Sequence, residues 1–123
     1  YWFTFDLNLN KTRLFYSDSL TDEWVEHSSS PISLNRNAGK IFKEPNGDLI
    51  RPIQVSDNSY GEGVTLLRVV KLSKKEYQEE VVKSNFLYKD KGYSLNGIHH
   101  FSFLENEKLV ITDGLNNNFY KIV

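Results

Sequence analysis

The chain has 123 residues, and its 15 basic and 16 acidic side chains nearly cancel to a net charge of −1. No charge-driven attraction to nucleic acid or to an anionic membrane follows from that balance. With no cysteine there is no disulfide, no thiolate metal site and no cysteine nucleophile. The length suits one domain or part of one.

The chain opens on the aromatic run Tyr1-Trp2-Phe3-Thr4-Phe5 without a methionine, which predicts that the polypeptide begins further upstream. Trp2 to Leu7 reads as a strand, and Arg13-Leu14-Phe15-Tyr16 as its hairpin partner beyond the turn residues Asn8, Asn10 and Lys11. A third strand is expected over Trp24-Val25-Glu26-His27. Ser28 to Asn37, with three serines and Pro31, reads as a loop between units.

Gly39 to Lys43 and Leu49 to Val55 flank Pro45-Asn46-Gly47-Asp48, and Asn-Gly between apolar runs predicts a hairpin. In Leu49 to Val55, Pro52 lacks an N–H and suits a strand edge or end better than a central ladder. From Val64 to Leu72 apolar residues fall on both alternating faces, which predicts a strand packed on both sides.

Ser73-Lys74-Lys75-Glu76 matches a capping box, so one helical turn to Tyr77 leading into a strand through Val81 and Val82 competes with a helix to about Asn85. The β character of the neighbouring units favours the strand. Ile98 to Leu104 and Leu109 to Thr112 form the last expected pair, with Phe119 to Val123 after it.

The fold class is therefore all-β, built of small antiparallel sheets in three units over about 1–30, 38–85 and 98–123 of one partial domain. Strand spacing alone leaves a β-propeller and a β-sandwich open.

No run of 18 apolar residues and no signal-peptide pattern occurs, so the chain reads as soluble, without membrane insertion. The compartment stays open, with a preference for the cytoplasm.

Six residues stand out as candidate ligand contacts: Arg36, Arg51, Gln54, Tyr60, His99 and Asp113. Arg51 is suited to a carboxylate or sugar hydroxyls, or else to a structural ion pair. Gln54 alternates to the other face of a regular strand, so one of the two serves structure. Tyr60, in Tyr60-Gly61-Glu62-Gly63, is placed to stack on a sugar ring or to pack beneath a bulge. His99 and His100 point to opposite faces of a strand and do not converge on one metal. Asp113 before Gly114 resembles a turn aspartate capping its own backbone. No phosphate loop, zinc spacing or nucleophile elbow occurs, so no cofactor and no metal is implied. Paired carboxylates of the kind used in glycoside hydrolysis are not evident among Asp6, Asp18, Glu26, Glu79 and Asp113.

Leu14-Phe15-Tyr16-Ser17-Asp18-Ser19-Leu20-Thr21, followed by Trp24 and His27, resembles a blade of five-bladed sugar-active propellers of the invertase and arabinanase type. A closer resemblance rests on Arg36-Asn37-Ala38-Gly39, Leu49-Ile50-Arg51-Pro52-Ile53-Gln54, Ser59-Tyr60-Gly61, Tyr77-Gln78-Glu79, Gly97-Ile98-His99 and Thr112-Asp113-Gly114, in that order. The chain is similar to the propeller at the N-terminus of glucosamine inositolphosphorylceramide transferases and of bacterial formyltransferase-like proteins. It departs from that pattern at Asn37, where proline is usual, and at His100, where threonine is usual.

The resemblance implies about the later half of a five-bladed ring and a carbohydrate context, with a glycan or sugar conjugate as partner. It places a histidine at His99, and in such propellers the nucleophile or base comes from an earlier blade. An accessory or glycan-binding fragment, part of a glycan-active enzyme, and a structural module positioning a transferase domain are the three functions it leaves open. A half ring exposes strand edges, which predicts a homodimer through them or poor solubility.

Overall fold

The computed structural model describes residues 1–58, 60–89, 96–104 and 109–115. Among them there are nine strands and no helix: β1 (Trp2–Asp6), β2 (Lys11–Tyr16), β3 (Val25–Glu26), β4 (Phe42–Lys43), β5 (Leu49–Val55), β6 (Gly63–Leu72), β7 (Tyr77–Tyr88), β8 (Phe101–Leu104) and β9 (Leu109–Thr112). They form three antiparallel sheets in chain order, β1-β2-β3, β4-β5-β6-β7 and β8-β9. No helix long and apolar enough to cross a membrane occurs among the described residues. The expected strand at Phe119 to Val123 and the turn at 105–108 lie outside them.

Local chemistry explains the turns. Asp6 Oδ1 accepts the N–H groups of Asn8 and Leu9, and Asn10 takes a φ of 52°, closing the β1–β2 hairpin with Trp2 opposite Phe15. At the β4–β5 turn Gly47 has a φ of 96°, a conformation that costs glycine nothing. Ser73 Oγ accepts from the N–H groups of Lys75 and Glu76, and Ser73 N–H donates to Glu76 O. These bonds satisfy the polar groups that would have capped a helix. Tyr77 is already the first residue of β7, so the expected strand through Val81 and Val82 forms in place of the longer helix, and a bend at 73–75 stands where the helical turn was expected.

Pro52 sits in an internal strand rather than at an edge. Its ladder is intact because β4 pairs only with Leu49 and Ile50, and beyond that point β5 is met by the loop, with Ala38 N–H donating to Pro52 O and Gln54 N–H to Arg36 O. The missing donor falls in the gap between these two partners. β6 is buried from Gly63 to Thr65 and again at Leu67, but Val70 is exposed, so only its first half is packed on both faces. Register shifts in the β6–β7 ladder break the alternation that the sequence assumes.

The middle sheet is covered on both sides. Arg51 lies opposite Leu67 on one face, where the Phe3 ring of β1 stands 5.8 Å from that of Tyr77. Val64 and Leu66 occupy the other face and pack with Ala38, Phe42, Phe86 and Phe101 of β8. Phe101 meets Phe42 at 5.8 Å and Phe86 edge-on at 5.3 Å, spacings at which aromatic pairs attract beyond their burial. Gly39 brings the chain against β8 so closely that a Cβ there would sit 1.9 Å from Phe101 O.

Candidate functional site

Five of the six candidate residues gather at one end of the middle sheet. Arg36 and Gln54 line a cleft of about 380 Å3 together with Phe5, Asn35, Asp57 and Tyr60. Tyr60 also lines a second cleft of about 180 Å3 with Gly61, Gly97, His99, Asp113 and Leu115. The tyrosine ring is thus the shared wall, and it is 63% exposed.

The ring is positioned by its neighbour. Gly61 has a φ of 72°, and its carbonyl accepts the N–H of Ile98 at 2.7 Å, which draws the segment before β8 against the turn. His99 then meets Tyr60 edge-on at 5.4 Å. On the other side the Arg36 guanidinium lies 5.9 Å from the Tyr60 ring and 4.7 Å from that of Phe5, within cation–π range of both.

His99 and His100 are not in a strand, because β8 begins only at Phe101. Both donate their backbone N–H groups to Asp113 Oδ1, at 3.0 and 2.7 Å, while Asp113 Oδ2 pairs with His99 Nδ1. Asp113 therefore caps the histidine turn across the sheet rather than its own backbone. His99 Nδ1 faces a carboxylate, which only accepts, so that nitrogen carries a hydrogen. His100 turns aside, with Nε2 on Ser102 Oγ at 2.8 Å. Among the described residues no group of three or more His, Asp or Glu is arranged to hold a metal.

Arg51 is placed apart from the clefts. It is fully buried, bonded to Glu79 through Nε at 2.8 Å and Nη2 at 2.6 Å, and to Asn37 Oδ1 through Nη1 at 2.8 Å. The Tyr77 hydroxyl donates to the same carboxylate, and burial pushes its phenol well above the usual value. Asn37 also donates from Nδ2 to Phe3 O at 3.2 Å and accepts Gln54 Nε2 on its backbone oxygen at 3.2 Å. The asparagine thus joins β1, β5 and the loop. The Gln54 side chain has its bond to Asn37 O inside the fold and a place on the cleft wall.

Phe5 and Asp57, which also line the larger cleft, carried no signal of their own in the sequence. Only the packing of the first hairpin against the loop after β5 brings them there. Glu62, beneath the turn, likewise has a role that its sequence context does not signal. It is buried, accepts Asn58 N–H at 3.0 Å and pairs with Lys89 at 3.1 Å. The Asn58 bond above all, with Lys89, holds its carboxyl down to about 2.

Residues 3–114 match the family described as glucosamine inositolphosphorylceramide transferase 1, N-terminal. The protein of that name from Oryza sativa subsp. japonica is 38% identical over 96 residues, 71% of this chain and 13% of the rice protein. Its namesake from Arabidopsis thaliana is 34% identical over 97 residues, 72% of this chain and 12% of that protein. The chain thus spans about an eighth of the length of these relatives. No solved structure matches it. The chain belongs to the family of the N-terminal region of glucosamine inositolphosphorylceramide transferase 1.

Proposed function

We propose that this chain is part of a β-propeller and that it binds a glycan or sugar conjugate as an accessory module, without catalysis of its own. The propeller reading is supported by three small sheets stacked in chain order, the middle one covered by a neighbour on each face. The observation that carries the binding reading is the exposed Tyr60 ring between two clefts, with Arg36 and Gln54 on one side and His99 and Asp113 on the other. An aromatic face takes the apolar face of a sugar ring, and the flanking polar groups fix its hydroxyls. The name of the relatives, glucosamine inositolphosphorylceramide transferase 1, supports a sugar-conjugate context for this reading.

Arg51 and Asp113 favour a second reading, a structural module that positions a transferase domain, because both have their hydrogen bonds inside the fold. Exposed apolar residues on β7, Val81 and Val82, and on β9, Leu109 to Ile111, support self-association through sheet edges.

Saturation-transfer NMR with a panel of neutral mono- and oligosaccharides separates the two functions. Transfer to a sugar that disappears in Tyr60→Ala supports the binding module. No transfer to any sugar, or transfer unchanged by the substitution, leaves the structural module.

A further inference from the structure

The chain has four arginines, and three of them are matched to carboxylates. Arg13 pairs with Asp6 and Glu26, Arg51 with Glu79, and Arg68 with Asp48 and Glu80. Arg36 differs. Among the described residues its guanidinium has no carboxylate and no hydrogen-bond acceptor, only the Phe5 and Tyr60 rings. It is half-buried, so part of its hydration is lost without a counter-charge.

The cleft beside it, about 380 Å3, has the size of a small-ligand site. Asp57 lines the same cleft and forms no ion pair with Arg36, so the two charges stand separately. The Phe5 and Tyr60 rings approach the guanidinium carbon at 4.7 and 5.9 Å, and its N–H groups have no acceptor among the described residues, so they suit a planar or tetrahedral oxyanion of the kind arginine binds bidentately.

We propose that Arg36 is the anion-reading residue of this cleft, and that the ligand is a sugar bearing a phosphate or carboxylate rather than a neutral one. The oxyanion sits on Arg36, the sugar ring on Tyr60, and hydroxyls on Asp57 and Gln54. This rests on the sugar-binding reading above and adds the charge of the ligand to it.

The test is NMR titration of the full chain at low salt with glucose, glucose 1-phosphate, glucuronate and inorganic phosphate, followed at Arg36 Nε–H and the Tyr60 ring. A charge-assisted bidentate contact predicts a charged sugar bound about tenfold or more tighter than glucose. That margin shrinks as salt is added and is lost in Arg36→Gln. Whichever of the phosphate and carboxylate sugars binds tighter identifies the oxyanion.

Glucose bound as tightly as its charged derivatives would overturn the anion assignment and leave the sugar site intact. Inorganic phosphate bound as tightly as glucose 1-phosphate would keep the anion site and overturn the sugar reading. No response at Arg36 or Tyr60 to any of the four would overturn both. The comparison among ligands uses the unsubstituted chain, so it stands even if Arg36→Gln does not fold.

Discussion

Arg51 and Glu79 lie on strands separated by β6, yet the guanidinium donates two hydrogen bonds to the carboxylate across it. Arg51 pairs with Leu67 and Glu79 with Val69, so the two side chains stand diagonally on one face, beneath Phe3 of the first sheet. The ion pair is thus part of the contact between two sheets.

Removing one member of such a buried pair strands the other. Arg51→Met is expected to cost about 3–5 kcal/mol of stability, measured by urea unfolding. Replacing both, as in Arg51→Met with Glu79→Leu, is expected to recover much of that loss, because neither charge is then left without a partner. A single substitution with no effect on the urea midpoint would show that the pair is not formed.

Acid should loosen the turn beneath Tyr60. The Glu62 carboxyl is held at about 2 in the folded chain against 4.5 without its partners, and the Glu26 carboxyl is held at about 2 chiefly by Arg13 and then Ser30. Both are depressed, so the stability they contribute is fully present above about pH 4.5 and is lost as pH falls toward 2. Urea midpoints measured across this window should fall with pH, and Glu62→Gln should flatten part of the slope.

Gly39 has no room for a side chain, since a Cβ would meet Phe101 O at 1.9 Å. Gly39→Ala must push β8 away from the middle sheet, where Ala38 O accepts Phe101 N–H at 2.8 Å. Overpacking of this kind costs about 1–3 kcal/mol. Broadened or shifted ring signals of Phe101, together with a lower urea midpoint, would register it.

The β hairpins were legible because their signals are local: Asn46-Gly47 between apolar runs, and Asn8 and Asn10 between aromatic ones. The strand through Val81 and Val82 was favoured and is found, but only from the β character of its neighbours, since the Ser73 side chain serves a helix start and a turn alike. The strand wins through its pairing with β6, which no local pattern carries. Tyr60, His99 and Asp113 were each visible as types suited to a site, and their adjacency was not. It depends on Gly61 and Gly97, whose backbones come close enough that a Cβ on Gly97 would lie 3.1 Å from Gly61 O. Arg51 looked like a ligand contact because its partner Glu79 is 28 residues away and two strands over.

Asp113 holds the His99 ring and the two histidine N–H groups at once. In Asp113→Asn the carboxylate is gone, and the His99 imidazole is expected to lose its preference for the Nδ1–H tautomer. Imidazole 15N spectra read this directly. A His99 tautomer indifferent to the substitution would mean that Asp113 does not orient the ring.

The central claim is that Arg36 and Tyr60 form one ligand face, with His99 packed against the Tyr60 ring from the neighbouring cleft. Mapping chemical shifts of all three side chains during titration with glucose 1-phosphate tests it most directly. The account predicts that the Arg36 Nε–H, the Tyr60 ring and the His99 ring move together with one binding constant. Shifts confined to Arg68 and other exposed basic residues, with Tyr60 and His99 still, would contradict it.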